Sequence, residues 1–259
     1  MMASETRVYL LDVEGTVAPL TLVTEQLFPY ARRYFESFLR ESLSESNLDM
    51  REGSVLWDVM MLKLERIQEQ DPDAPSLDPT GSKNDPGVVS MSPALAIPII
   101  LRYVFWLMDC DRKSTALKSL QGKIWKTGFE RGALKGTLFP DVPEAFARWP
   151  KAAKVAIYSS GSVEAQQLLF RYSTHGDLTP LISGYFDTRI GAKSEGASYA
   201  AIAAHFGVAP SEVLFFSDAV RELDAARDAG CGTRLVIREG NAPVEDAHGH
   251  TAISGLASL

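Results

Sequence analysis

Two acids stand two residues apart in Asp12-Val-Glu14, directly after the apolar run Val8–Leu11 and directly before Gly15-Thr16. Carboxylates this close repel each other, so a divalent metal, a lysine or a shared proton is the usual compensation. Three further polar features also follow apolar runs. They are Ser159-Ser160-Gly161-Ser162 after Lys154–Tyr158, Lys193 after 185–190, and Asp218 after Val213–Ser217. Each has a chemical use. An aspartate such as Asp12 can attack phosphorus and carry the group as an aspartyl phosphate. Glu14 is spaced to protonate the leaving oxygen and then to activate water. Hydroxyls and N–H groups at a helix start bind phosphate, which suits Ser159 and Ser160. Lys193 is a candidate both for catalysis and for holding the transferring group. Asp12, Glu14 and Asp218 are the candidates for an oxygen-rich Mg²⁺ site, with a backbone carbonyl near Glu14 as the contact from that position.

Each feature alone has a plainer reading. An aspartate after a strand is commonly a turn or cap residue. Ser-Ser-Gly-Ser is commonly a helix start, and a single lysine is commonly solvated. Asp218 with Glu222 four residues on reads as the polar face of a helix. What raises the joint signal is the shared position, because open α/β sheets bind ligands at the carboxyl ends of their strands.

The elements that must position these groups follow from periodicity. Residues 7–11 read as a buried strand. From Pro29 the pattern is helical, with Ala31, Tyr34, Phe35, Phe38 and Leu39 on one face. Residues 55–69 form a second helix with Leu56, Val59, Met60 and Ile67 on its apolar face. Residues 71–87 carry four prolines and little to bury, and read as a flexible surface loop. Residues 94–108, which contain Pro98 and Arg102, read as a buried helix pair, and 114–120 as another helix. The Gly-, Lys- and aromatic-rich stretch 121–136 is equally a hinge or a presenter of groups to a ligand. Asp141 with Glu144 three residues on has the form of a helix cap. Thereafter strands at 154–158, 185–190, 213–217 and 233–237 alternate with helices after Ser162, at 194–206 and at 221–229, the last stopped by Gly230. Such alternation predicts a parallel sheet with helical crossovers. The fold class is therefore α/β: a Rossmann-like parallel core of residues 1–20 and 132–259, with a helical cap, 21–131, inserted after the first strand.

The chain has 259 residues, 46% hydrophobic and 23% charged, with a net charge of −7. That composition is ordinary for a globular protein, and its acidity argues against bulk nucleic-acid binding. No secretory signal is visible, and the most apolar stretch, 94–108, is short for a membrane span. Cys110 and Cys231 are far apart, without metal-ligand spacing, and read as reduced. A monomer in the cytoplasm, with possible entry to the nucleus, is the expectation.

In this order the motifs resemble the haloacid-dehalogenase-like phosphohydrolases. Within that superfamily the chain is similar to the enolase-phosphatase (acireductone synthase) family of methionine salvage. The residues that carry the likeness are Asp12-Val-Glu-Gly-Thr16, Leu27-Phe-Pro-Tyr-Ala31, Leu138-Phe-Pro-Asp-Val-Pro143, Ile157-Tyr-Ser-Ser-Gly-Ser162, Lys193-Ser-Glu-Gly-Ala-Ser-Tyr199 and Ser217-Asp-Ala-Val-Arg-Glu-Leu223. Glu14 is the discriminating position, because most phosphatases of the superfamily have Asp there. The resemblance implies one Mg²⁺ per subunit and a phosphorylated diketone, 2,3-diketo-5-methylthiopentyl-1-phosphate, as substrate. It implies enolisation followed by hydrolysis to acireductone and phosphate. It also implies a cap pocket for the methylthio end, with Trp125, Phe129 and the aromatics of residues 29–39 as candidate lining residues against the plainer reading of core packing. The competing readings are a general phosphomonoesterase of the same superfamily and a silent binding protein that keeps the fold. The intact set of Asp12, Glu14, Ser160, Lys193 and Asp218 argues against the second.

Overall fold

The computed structural model describes residues 5–44, 49–69, 71–77, 87–112, 114–149 and 153–257. The chain divides into two compact units, 1–26 with 129–259, and 27–128.

The first unit is built on a six-stranded sheet: β1 (Val8–Leu11), β2 (Lys154–Tyr158), β3 (Gly184–Phe186), β4 (Val213–Ser217), β5 (Gly232–Val236) and β6 (Thr251–Ile253). Every pairing is parallel and the spatial order is 3-2-1-4-5-6. This is the doubly wound order whose switch point lies between β1 and β4. The central strands are apolar on both faces, as a sheet covered on both sides requires. Val8, Leu10, Ala156, Tyr158 and Phe215 pack with Tyr199, Ile202 and Leu223. Tyr9 and Phe216 stack on Trp149, with ring centroids 4.5 and 5.6 Å away. In register, Leu11 lies level with Ile157 of β2 and with Phe216 of β4. Asp12, Ser159 and Asp218 therefore emerge along one edge of the sheet.

The second unit is helical. It holds α1 (Phe28–Ser42), α2 (Val55–Gln68), α3 (Pro93–Asp109) and most of α4 (Thr115–Glu130). Helices α5 (Val142–Arg148), α6 (Val163–Arg171), α7 (Gly196–Phe206) and α8 (Val220–Asp228) belong to the sheet unit. Apolar residues at helical spacing bury one stripe of each long helix. They are Ala31, Phe35 and Leu39 in α1, Leu56, Val59 and Leu62 in α2, and Leu117, Leu120 and Ile124 in α4.

The structure departs from the sequence reading in several places. Tyr34 and Ile67 face outward, 38% and 67% exposed, because the buried stripes are narrower than the apolar residues available. No break occurs at Pro98. Its ring sits on the exposed side of α3, where the helix forgoes one backbone bond and continues. Residues 121–130 are neither hinge nor loop but the second half of α4, whose periodic Leu117, Leu120 and Ile124 outweigh Gly122 and Gly128. Trp125 donates to the Leu27 carbonyl at 2.8 Å, and Phe129 is buried against Tyr172. Residues 71–77 pack closely: Ala74 and Leu77 are buried, and the Arg66 guanidinium donates to the carbonyls of Ala74 and Pro75. The rest of the expected flexible loop, 78–86, lies outside the described residues. Asp141 is not a side-chain cap, because its backbone is already helical and its carboxylate turns elsewhere. Strand β6 escaped the sequence reading because its three residues are largely exposed and lack an apolar run.

Candidate active site

Asp12 extends β1 by one residue, its N–H donating to the Phe216 carbonyl at 2.9 Å. Its side chain is buried. One carboxylate oxygen, Oδ1, accepts both the Val13 N–H at 2.7 Å and the Lys193 ammonium at 2.6 Å. Lys193 Nζ also meets Glu222 Oε2 at 2.7 Å, and the Ser217 hydroxyl donates to that same oxygen at 2.9 Å. A charged chain Asp12–Lys193–Glu222 thus links β1, the loop before α7 and the first turn of α8.

The loop carrying Lys193 is fixed by main-chain contacts. Tyr199 donates to the Lys193 carbonyl at 2.6 Å, Ser198 to Ala192 at 2.8 Å and Tyr158 to Gly191 at 2.9 Å. Glycine is required at 191, where φ is +137° and a Cβ would lie 2.2 Å from the Ser198 hydroxyl.

Asp218 packs on the turn that follows Glu14. Gly15 has φ +72°, and a Cβ there would stand 2.2 Å from Asp218 Oδ2. The turn is closed by Gly15 N–H to Ala18 O at 2.8 Å, and by three N–H groups, of Thr16, Val17 and Ala18, on the Val13 carbonyl. Glu14 is half-buried within it, its backbone paired with Ala18.

Electrostatics follow from burial and crowding. Burial pushes the Asp218 carboxyl up to about 6, the Asp12 and Glu222 charges add to this, and Lys193 opposes it. Glu222 is raised by burial and by Asp12, again opposed by Lys193. Burial would discharge Lys193, but Asp12 and Glu222 outweigh it and hold its ammonium above the usual lysine value. Asp12, Asp218 and Glu222 together outnumber the one ammonium between them.

The structure therefore brings Asp12, Lys193 and Asp218 together. Ser159 and Ser160 stand at the adjacent end of β2, where neither bonds to Asp12 or Lys193. The Ser159 hydroxyl accepts the Gly161 N–H at 3.2 Å, and Ser160 is exposed. Ser162 caps α6, accepting the Ala165 N–H at 3.2 Å. Among the described residues, no three or more His, Cys, Asp or Glu side chains converge as a metal site. The site expected from the sequence needs only two of these side chains, Asp12 and Asp218, with a backbone carbonyl near Glu14 as the third contact. Asp12 Oδ1 is committed to Lys193, and Glu14 sits within the turn. What remains suits a hard cation: the Asp12 and Asp218 carboxylates, a main-chain carbonyl near Glu14, and surplus negative charge.

Sequence reasoning passed over Glu222, which it took for a polar helix face. It also passed over Gln166, whose buried amide donates to Gly161 O and Phe186 O at 2.8 and 2.9 Å and steadies the serine loop. The spacing Asp218-x-x-x-Glu222 was the available signal for the first, and nothing in the sequence marks the second.

Residues 6–230 match the haloacid dehalogenase-like hydrolase family. The enolase-phosphatase E1 of Synechococcus elongatus is 49% identical over 237 residues, 91% of this chain and 90% of that protein. The chain belongs to the enolase-phosphatase E1 family of haloacid dehalogenase-like hydrolases. Another E1 family member, from Leptospira borgpetersenii, is 42% identical over 97% of both chains. The crystal structure of the UTR4 protein (unknown transcript 4 protein) of Saccharomyces cerevisiae superposes with a TM-score of 0.72. It is 32% identical, and the match covers 98% of this chain and 100% of that one. The motifs at Asp12, Ser159, Lys193 and Asp218 fall inside the span matched to the hydrolase family.

Proposed function

We propose that this chain is an enolase-phosphatase that converts 2,3-diketo-5-methylthiopentyl-1-phosphate to acireductone and phosphate in methionine salvage. The observation that carries the reading is the buried Asp12–Lys193 pair at the β1/β4 switch point, with Glu14 two residues after the aspartate. Lys193 and the Val13 N–H hold Asp12 Oδ1, which leaves Oδ2 as the attacking oxygen. Once the substrate has been enolised by moving the C1 proton to the C2 oxygen, Oδ2 attacks phosphorus in line, the bond from phosphorus to the substrate oxygen breaks, and Glu14 protonates the departing oxygen. Glu14, now a carboxylate, takes a proton from water. That water attacks the aspartyl phosphate, releasing phosphate and restoring Asp12. Ser159, Ser160 and the start of α6 receive the phosphate oxygens. Glu222 holds Lys193 from the other side, so the ammonium is positioned before substrate arrives.

One Mg²⁺ per chain is part of this reading. Asp12, Asp218 and a backbone carbonyl near Glu14 would hold it, and when bound it supplies Lewis-acid neutralisation of phosphate and enolate charge. The helical unit is the cap, and the enzyme acts as a monomer in the cytoplasm. Among the described residues no helix is long and apolar enough to cross a membrane.

The test is a two-channel assay on the diketo phosphate. Inorganic phosphate and the ultraviolet absorbance of the enediol product are followed together, with and without Mg²⁺. Both signals should rise together and only with Mg²⁺. Hydrolysis of simple phosphate esters alone would keep the phosphatase chemistry and reject the substrate.

A further inference from the structure

The acidic turn 12–16 is gripped from outside by a loop that no motif touches. Strand β5 ends at Val236, and the next residues run Ile237-Arg-Glu-Gly-Asn241. Asn241 Nδ2 donates to the Gly15 carbonyl at 2.9 Å, with a longer contact to Val236 O at 3.4 Å. Arg238 Nε donates to the next carbonyl, that of Thr16, at 3.2 Å. Arg238 is itself held. Its Nη1 donates to Asp141 Oδ2 at 3.0 Å and to Ser254 O at 3.3 Å, and its guanidinium lies 4.3 Å from the Phe139 ring centre. Asp141 Oδ2 also accepts the Leu256 N–H at 2.6 Å. The loop is therefore a fixed anchor, braced by α5 and by the chain beyond β6.

We infer that Asn241 is a positioning residue for phosphoryl transfer, holding the Gly15–Thr16 peptide and through it the placement of Glu14 against Asp12 and Asp218. The inference rests on the enolase-phosphatase reading of the site. Asn241 and Arg238 reach the turn from a different element than its other main-chain contacts do. Within the turn, Val13 O and Ala18 O close the backbone, but these bonds move with the turn as a body. From outside, Phe139 N–H reaches Val17 O at 3.0 Å, beyond the acids. The two carbonyls directly after Glu14 are held by Asn241 and Arg238. Gly15 is also the residue whose Cα leans on the Asp218 carboxylate, and Asn241 Oδ1 would lie 3.1 Å from a Cβ at Gly15. Release of the Gly15 carbonyl lets the turn tilt, altering the separation of Glu14, Asp12 and Asp218 without removing any of them.

Misplacement of reacting groups by about 1 Å costs about a hundredfold in rate. Asn241→Leu removes the donor at similar size, and Asn241→Asp keeps the shape but replaces the donor with an acceptor. Asn241 is only partly buried, and both variants should fold. In the Mg²⁺-containing assay on the diketo phosphate, both should lower kcat by about ten- to a hundredfold. KM should stay within about threefold and the melting temperature close to wild type, because substrate contacts and core packing are untouched. Wild-type kcat, or a raised KM with kcat kept, would overturn the role. So would loss of the folded state in both variants, which would make Asn241 a stability determinant. Wild-type enzyme inert toward this substrate would instead overturn the functional reading beneath it.

Discussion

Lys193 is nearly enclosed, yet two carboxylates keep it charged. A buried ammonium shared by Asp12 and Glu222 is weak support for stability alone, since ion pairs of this kind can be replaced by apolar groups at little cost. Its value lies in chemistry at Asp12. The same closeness explains Gly15. Replacing it with alanine forces a left-handed backbone on a residue with a side chain, at about 1 kcal/mol, and drives a Cβ into Asp218 Oδ2. Gly15→Ala should therefore lower phosphate release by about a hundredfold with a modest fall in melting temperature. Full activity in steady-state assays would show that Asp218 does not depend on this contact. At this scale the sequence was informative where a polar residue directly follows an apolar strand, as at Asp12 and Asp218, whereas Lys193 lies in the loop beyond β3. It was uninformative at Glu222, whose contact with Lys193 depends on how α8 is set against the sheet. Asn241 was equally hidden, because an asparagine in an irregular loop looks the same whether or not it meets a distant carbonyl.

Asp141 shows how an element can be located correctly for the wrong reason. Asp-Val-Pro-Glu does mark the start of α5, but the carboxylate caps nothing. It pairs with Arg238, whose side chain is only 8% exposed, and with the Leu256 N–H. A lost helix cap costs about 1 kcal/mol, whereas stranding a buried guanidinium costs about 3 kcal/mol or more. Asp141→Ala should fall in the larger class in urea unfolding, and a loss near 1 kcal/mol would return Asp141 to a capping role. Helix α4 is the complementary case. Its glycines at 122 and 128 suggested a hinge, but burial of Leu117, Leu120 and Ile124 sustains a continuous helix. Tertiary packing outweighed propensity there, as it commonly does. Residues 71–77 form a loop without helix or strand, and burial of Ala74 and Leu77 seats this proline-rich segment where composition alone showed little to bury.

Across the molecule, the alternation of strands and helices made the α/β core legible, and the helical stretch between β1 and β2 marked the insertion. The spatial order of the strands was not legible from their list. Only the observed order places β1 beside β4, and so brings Asp12 next to Asp218 from 206 positions away. Convergence at the switch point is what turns separate motifs into one site, and Asp12 stands at its centre. The most direct test is the rate of phosphate release from the diketo phosphate by Asp12→Asn with Mg²⁺ present, beside its melting temperature. The account predicts release at background level from a protein that melts close to wild type, since the amide retains the shape but cannot attack phosphorus. Release near the wild-type rate from this folded variant would contradict Asp12 as the nucleophile, and with it the mechanism built around Lys193 and Glu14.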